Sequence, residues 1–190
     1  MEKVLEKLKS YHLNTYEHSV RVSTLCSRLA ISLGFSKEEC QFAKYAGLFH
    51  DVGKLKVPHY ILSKPGKLSE KEYLIIQSHV LHGVEIIQDR GVHPKIVEAV
   101  LQHHEREEGT GYPYKIDDIS PLGRVVGVCD VFDALTSDRE YRVGTTAEEA
   151  FELLLGYRVG MLFRPYVLQL RQLLGSGRSN ELTFYRADYT

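Results

Sequence analysis

Residues 36–54, SKEECQFAKYAGLFHDVGK, decide how the rest of the chain is read. Ser36 with Glu39 three positions on is a capping box, the arrangement in which a helix start satisfies its own free N–H groups. Phe42, Tyr45, Ala46 and Phe49 then recur at helical spacing and define one apolar face. That face runs directly into His50 and Asp51. Adjacent ionisable groups at the end of a helix as apolar as residues 43–49 need partners to justify burial. Alone, a His-Asp pair reads as a helix C-terminus with a dipole-paired imidazole; what surrounds this one points elsewhere.

Outward from this segment, helical signals continue in both directions. Val4, Leu5 and Leu8 share one side of a first helix, and Leu25, Leu29 and Leu33 mark a second that Gly34 closes. Ser69 with Glu72 opens a long helix expected to reach about Arg90, and Pro94 begins one carrying Ile96, Val97, Val100 and Leu101. Ser120 and Pro121 start another with Val125, Val128, Phe132 and Leu135; Thr146 and Glu149 cap the next, and residues 162–174 supply the last. Only VVGV at 125–128 also reads as a short buried strand. The expected fold is an all-α helical bundle, one domain over residues 1–175 with a loosely held tail at 176–190. Residues 53–68 and 105–119 read as neither helix nor ordinary turn. Both are long for connections in a compact helical domain, which marks them as functional.

The chain has 190 residues, 24 basic against 25 acidic side chains, and a formal net charge of −1. No global field gathers a DNA or RNA polymer or an anionic membrane, so any phosphate-binding surface is local. The alternating charges at the amino terminus lack the apolar core of a signal peptide, and no run approaches the ~18 apolar residues of a membrane span, so a cytoplasmic protein is expected. Cys26, Cys40 and Cys129 read as buried thiols. Nine histidines against three cysteines favour nitrogen and oxygen coordination chemistry.

Those histidines fall in a pattern. Besides His50 and Asp51, the chain places His18 near the start of the second helix, His79 within the long helix, His103 and His104 at the end of the next, and Asp130 inside a later one. Each has a mundane explanation alone. Five helices each bringing an imidazole or a carboxylate match the way bundle metal sites are built from facing helices. His103 and His104 point about 100° apart on a regular helix, so both can coordinate only where the helix ends. Asp133, at i+3 from Asp130, reads as a partner that orients a ligand. Residues 52–69 hold Lys54, Lys56, Lys64 and Lys67 and no acid, which argues for a nearby anion. Lys54, four residues after His50, can present its ammonium to a phosphoryl oxygen, and Arg139 and Arg142 offer two further clamps. Phosphate-cradling loops, nucleophile elbows, H-E-x-x-H helices and zinc fingers are absent.

HDVGK at 50–54, ILSKPG at 61–66, His79 with Gly83, HHER at 103–106, GTGYP at 109–113, DVFDALTS at 130–137 and DREYR at 138–142 occur in one order over residues 12–170. In this the chain resembles the HD-GYP family, a subset of the HD-domain metal phosphohydrolases associated with hydrolysis of cyclic di-GMP in bacteria. The resemblance implies that His18, His50, Asp51, His79, His103, His104 and Asp130 ligate metal, with Asp51 bridging two ions and acting in catalysis beside Lys54. It implies that Lys54, Tyr112, Arg139 and Arg142 meet the substrate; Tyr112 enters on this ground alone. The metals it implies are divalent, Fe or Mn first, with Zn, Ni or Co as other occupants.

The family residue four positions before His18 is acidic in members able to hold a third metal. Here it is Asn14, so two metals are expected. Glu107 and Glu108, Glu140 and Arg164 also depart from the family pattern and bear on selectivity and loop geometry. The expected reaction is opening of cyclic di-GMP to linear pGpG by a metal-bridging hydroxide, with slow onward cleavage to GMP. The alternatives are the same chemistry on another nucleotide or cyclic dinucleotide, and a non-catalytic signalling module. A diguanylate cyclase partner and a homodimer through apolar positions near the amino-terminal helix complete the expectations.

Overall fold

In the computed structural model, residues 1–138, 143–156 and 163–175 are described. They form α1 (Glu2–Tyr11), α2 (Leu13–Ser32), α3 (Lys37–Phe49), a 3₁₀ turn (Val52–Lys56), α4 (His59–Leu62), α5 (Glu70–Gln77), α6 (His79–Gln88), α7 (Pro94–Gln102), α8 (Pro121–Thr136), α9 (Ala147–Leu155) and α10 (Arg164–Gly175), with no strand among them. Arg139, Arg142 and the tail at 176–190 lie outside the described residues.

The boundaries follow local chemistry. Ser36–Glu39, Ser69–Glu72 and Thr146–Glu149 all close as reciprocal capping boxes. Pro94 and Pro121 each occupy a first helical turn, and Gly34 takes φ +77° just past the end of α2. α2 and α3 run antiparallel: Ser23 Oγ donates to Lys44 O at 2.8 Å, and His18 lies opposite His50. Gly47 makes this approach possible, since a Cβ there would meet Cys26 Sγ at 2.9 Å and Ser23 Cα at 3.0 Å.

α7 and α8 complete the central bundle, and its core joins Leu25 and Leu29 to Ala43, Val100, Val125 and Val128. VVGV at 125–128 is helix, part of α8. Leu122, Gly123 and residues 125–130 are all buried, and a helix buried on every side shows no amphipathic period, which is why strand was a live alternative there.

Two other expectations change. The long helix after Ser69 is two helices meeting at Ser78. Ser78 Oγ donates to Ile75 O at 2.6 Å and His79 Nδ1 donates to Ile76 O at 2.6 Å, so side chains take the carbonyls that an unbroken helix would give to the N–H groups of residues 79 and 80. His79 therefore stands at a helix start and not in mid-helix. Residues 53–68 likewise are less irregular than expected, because they contain most of the 3₁₀ turn and the whole of α4. Residues 105–119 do run without helix. No helix among the described residues is long and apolar enough to cross a membrane.

Candidate metal centre

Three imidazoles are fixed in the same way. His50 Nδ1 donates to Gly47 O at 2.7 Å, His79 Nδ1 to Ile76 O at 2.6 Å and His103 Nδ1 to Val100 O at 2.6 Å. A carbonyl only accepts, so a proton sits on Nδ1, and in the neutral imidazole that serves as a metal ligand Nε2 then carries the lone pair. All three Nε2 atoms are buried and have no hydrogen-bond partner among the described residues, and neither does Asp51 Oδ1. His79 Nε2 stands 3.3 Å from Asp51 Oδ1, and His50 Nε2 stands 3.3 Å from Asp51 Oδ2. These are acceptors facing acceptors, an arrangement that costs free energy unless a cation lies between them.

The donor set resolves into adjoining groups. His18, His50 and Asp130 bring one ligand atom each within 4.8 Å of one another, as do His79, His103 and His104, and His50, Asp51 and His103. Asp51 turns one oxygen toward each triad, and its residue is only 1% exposed. His50 Nε2 also reaches Asp130 Oδ1 at 3.7 Å, so α3 and α8 meet at one imidazole. His103 and His104 both point inward because α7 ends at Gln102, and their ring centroids are 4.0 Å apart. Neutral imidazoles around carboxylates suit divalent Zn, Fe, Mn or Co, and the bare lone pairs are the observation that fits this group of ions to the site.

Charge is distributed to match. Burial, reinforced by neighbouring imidazoles, lowers His79 to about 4 and His103 to about 3, and it holds His104 well below its usual value. Burial would raise Asp51, but the Lys54 ammonium beside it outweighs burial and keeps the carboxyl well below the usual range. Asp130 is held down against burial by its bond from His18. His18 is the exception. Burial would lower it, yet it bonds Asp130 Oδ1 through Nε2 at 3.0 Å and Asp133 Oδ2 through Nδ1 at 2.7 Å, which lifts it to about 9. To ligate a metal, His18 gives up the Nε2 proton while Asp133 retains the one on Nδ1.

Lys54 Nζ donates to Asp51 Oδ2 at 2.6 Å, and Lys64 pairs with Glu72 at 2.6 and 2.8 Å. Tyr112 stacks on His104 at 4.5 Å between centroids, and its N–H donates to His104 O at 3.2 Å. A cavity of about 520 Å³, lined in part by His18, Lys54, Lys64 and Asp133, opens beside these groups and is of small-molecule size.

The sequence reading missed three residues. Arg21 clasps Asp133 through Nε at 2.9 Å and Nη2 at 3.0 Å, a bidentate pair behind His18. Its position at i+3 from His18, facing the i, i+3 pair of Asp130 and Asp133, was the available signal. Glu105, 1% exposed, accepts from the backbone N–H of Tyr114, Lys115 and Ile116 and so ties the loop that carries Tyr112. No periodicity marks such a residue. Gly53 lets the 3₁₀ turn lie on α6, since a Cβ there would sit 1.8 Å from His79 O.

The sequence model described as HD domain matches residues 3–161. A Pseudomonas aeruginosa protein named cyclic di-GMP phosphodiesterase PA4108 is 41% identical over 169 residues, covering 86% of this chain and 41% of its own length. A Vibrio cholerae protein named 3'3'-cGAMP-specific phosphodiesterase 2 is 40% identical over 160 residues, covering 82% of this chain and 30% of its own. The chain thus spans less than half the length of these curated relatives. Among solved structures, the HD domain of the L. monocytogenes phosphodiesterase PgpH in complex with cyclic-di-AMP superposes with a TM-score of 0.70 at 19% identity, over 99% of both chains, a likeness of fold.

Proposed function

We propose that this chain, which belongs to the HD domain family, is a metal-dependent phosphodiesterase that opens cyclic di-GMP to linear pGpG. The observation that carries the reading is Asp51, which turns an oxygen to each of two adjoining groups, His18–His50–Asp130 and His79–His103–His104, in which the Nε2 atoms of His50, His79 and His103 have no partner among the described residues. In this reading His18, His50, Asp51, His79, His103, His104 and Asp130 hold two divalent ions, Fe or Mn, and Asn14 in place of an acid disfavours a third.

Divalent cations in such a site supply a water of lowered pKa and a Lewis acid for the phosphoryl oxygens. The chain's own residues do the rest. Asp51 and Asp130 hold negative charge that fixes the ions, and Asp133 with Arg21 fixes the tautomer of His18. Lys54 is positioned to offset charge that builds on the phosphoryl group. Tyr112, braced on His104, forms the wall that excludes water from one side. Arg139 and Arg142 belong to the same reading as phosphate contacts.

Elemental analysis of the purified protein with product identification on cyclic di-GMP tests this. Two equivalents of metal and accumulation of pGpG support it; rapid GMP formation removes the two-metal argument from Asn14, and no cleavage by metal-loaded protein removes the reading. The similarity to a protein named for 3'3'-cGAMP makes that dinucleotide the second reading, and kinetic ranking of the two separates them. A homodimer and a diguanylate cyclase partner are finer proposals, checked by light scattering and co-purification.

A further inference from the structure

Two residues beside the site stand outside the proposed ligand set. Tyr73 is 48% exposed on α5, a helix that buries none of its residues. Its ring meets Tyr112 edge-on at 6.4 Å, and Tyr112 stacks on His104. An aromatic wall therefore runs from the imidazoles outward to solvent. Arg106 lies beside that wall: it follows Glu105, against whose backbone Gly111 of the Tyr112 loop packs, and the tyrosines Tyr112 and Tyr73 are both near enough to act on its guanidinium. Arg106 Nη1 donates to Glu105 O at 2.8 Å and reaches His103 O at 3.5 Å.

A half-buried arginine on carbonyls at the end of α7 has a plain structural explanation, as a helix C-terminal cap. That accounts for Nη1 alone. Among the described residues, Nε and Nη2 have no protein partner, so the side-on edge of the guanidinium, the one that makes bidentate bonds, is left to a ligand while Nη1 holds it in place. A planar pair of donors beside an exposed tyrosine ring matches a purine with two adjacent acceptors.

Resting on the cyclic dinucleotide reading above, we infer that Tyr73 and Arg106 form a guanine subsite, in which the base stacks on Tyr73 while its O6 and N7 accept from Nε and Nη2 of Arg106. Stacking on tyrosine is tolerant of base identity, whereas the arginine fork is not. Adenine offers N7 but presents its N6 amino group as a donor where guanine has O6, so one bond is lost and two donors face each other. Arg106 is then the residue that sets guanine over adenine, and Tyr73 the residue that sets affinity for either.

The test uses metal-loaded wild type, Arg106→Lys, Arg106→Ala, Tyr73→Phe and Tyr73→Ala, with retained metal checked for each. Calorimetry measures the binding of GMP and AMP, and kinetics measures kcat/KM on cyclic di-GMP, 3'3'-cGAMP and cyclic di-AMP. Wild type should prefer GMP by about 10- to 100-fold, the discrimination expected of one bidentate pair. Arg106→Lys keeps the charge and loses the fork, so the preference should collapse with AMP binding little changed. Tyr73→Ala should weaken GMP and AMP alike, by about tenfold, with Tyr73→Phe restoring both. A guanine preference that survives in Arg106→Lys, or equal loss of GMP and AMP in Arg106→Ala, makes Arg106 a phosphate contact and overturns the subsite. A guanine preference in a protein that cleaves no cyclic dinucleotide leaves the subsite standing and overturns only the activity.

Discussion

Replacing Glu105 with glutamine keeps its shape and removes its charge, and the cost can be worked bond by bond. Oε1 accepts from Tyr114 N at 2.7 Å and Lys115 N at 3.1 Å, and Oε2 accepts from Ile116 N at 3.2 Å. A glutamine retains one oxygen for the first two. Its amide nitrogen then faces the N–H of Ile116, donor against donor, at a site 1% exposed. An unsatisfied buried donor costs about 2 kcal/mol, and loss of charge assistance from the two surviving bonds costs about 1 kcal/mol more. At about 2–4 °C per kcal/mol for a domain of this size, Tm should fall by about 6–12 °C. None of the seven proposed ligands rides on the loop from Gly109 to Ile116, so metal content should hold, whereas Tyr112 loses its bracing and KM on cyclic di-GMP should rise about tenfold, or about 1.4 kcal/mol. Scanning calorimetry, metal analysis and steady-state kinetics read these separately. A Tm within about 2 °C of wild type with unchanged KM would refute the assignment of Glu105 as the residue that positions the loop.

Arg21→Ala should weaken metal retention by about 10- to 100-fold through loss of the clasp on Asp133, with Arg21→Lys in between; competition with a chelator measures it, and unaltered retention counts against a role behind His18. Gly53→Ala should cost more than the about 1–3 kcal/mol of ordinary overpacking, because the atoms a Cβ would strike are backbone of His79 and Gly83; thermal melts of the apo-protein check it, and a melt like wild type's would contradict the close approach. Metal-stripped protein should be most stable near neutral pH. Unfolded imidazoles bind protons from about pH 6.5 downward, whereas folded His79 and His103 refuse them until about 4 and about 3, so stability falls with acid across that window. His18, raised to about 9, contributes stability that is complete below its unfolded pKa and lost as pH rises through about 9. Melting from pH 4 to 9 tests both limbs, and a flat profile contradicts them.

The sequence was most legible where one residue type has one physical use. Capping boxes, first-turn prolines and apolar stripes placed α2, α3, α7, α9 and most of α8. Histidines and acids at helix ends and inner faces pointed to seven side chains that the structure does gather, as the distances from His50 to both Asp51 and Asp130 illustrate. Legibility failed where a side chain acts on backbone far away in sequence. Glu105 serves N–H groups nine to eleven residues on, and no local pattern encodes that. It failed also at Ser78, where side chains displaced the ladder bonds of a helix whose apolar pattern continues on both sides. The strand alternative at 125–128 arose because complete burial erases the period that distinguishes helix from strand.

The hydrogen-bonding demand of helix ends explains why the imidazoles stand where they do. A helix leaves its last carbonyls without partners, and burying them unsatisfied is costly. His50 caps α3, His103 caps α7, and His79 follows the cap of α5 by one residue. Each ring spends Nδ1 on a carbonyl three residues back, so one hydrogen bond closes a helix and leaves Nε2 bare toward the centre. Helix termination and ligand presentation are therefore one event repeated on three helices. Shifting any of these histidines by a single position turns the ring by about 100°, which removes the cap and the ligand together. A folding demand that each helix meets alone thus aims the lone pairs of three proposed ligands at a centre that none of the helices forms by itself, and the bundle has only to bring the three helix ends to one place.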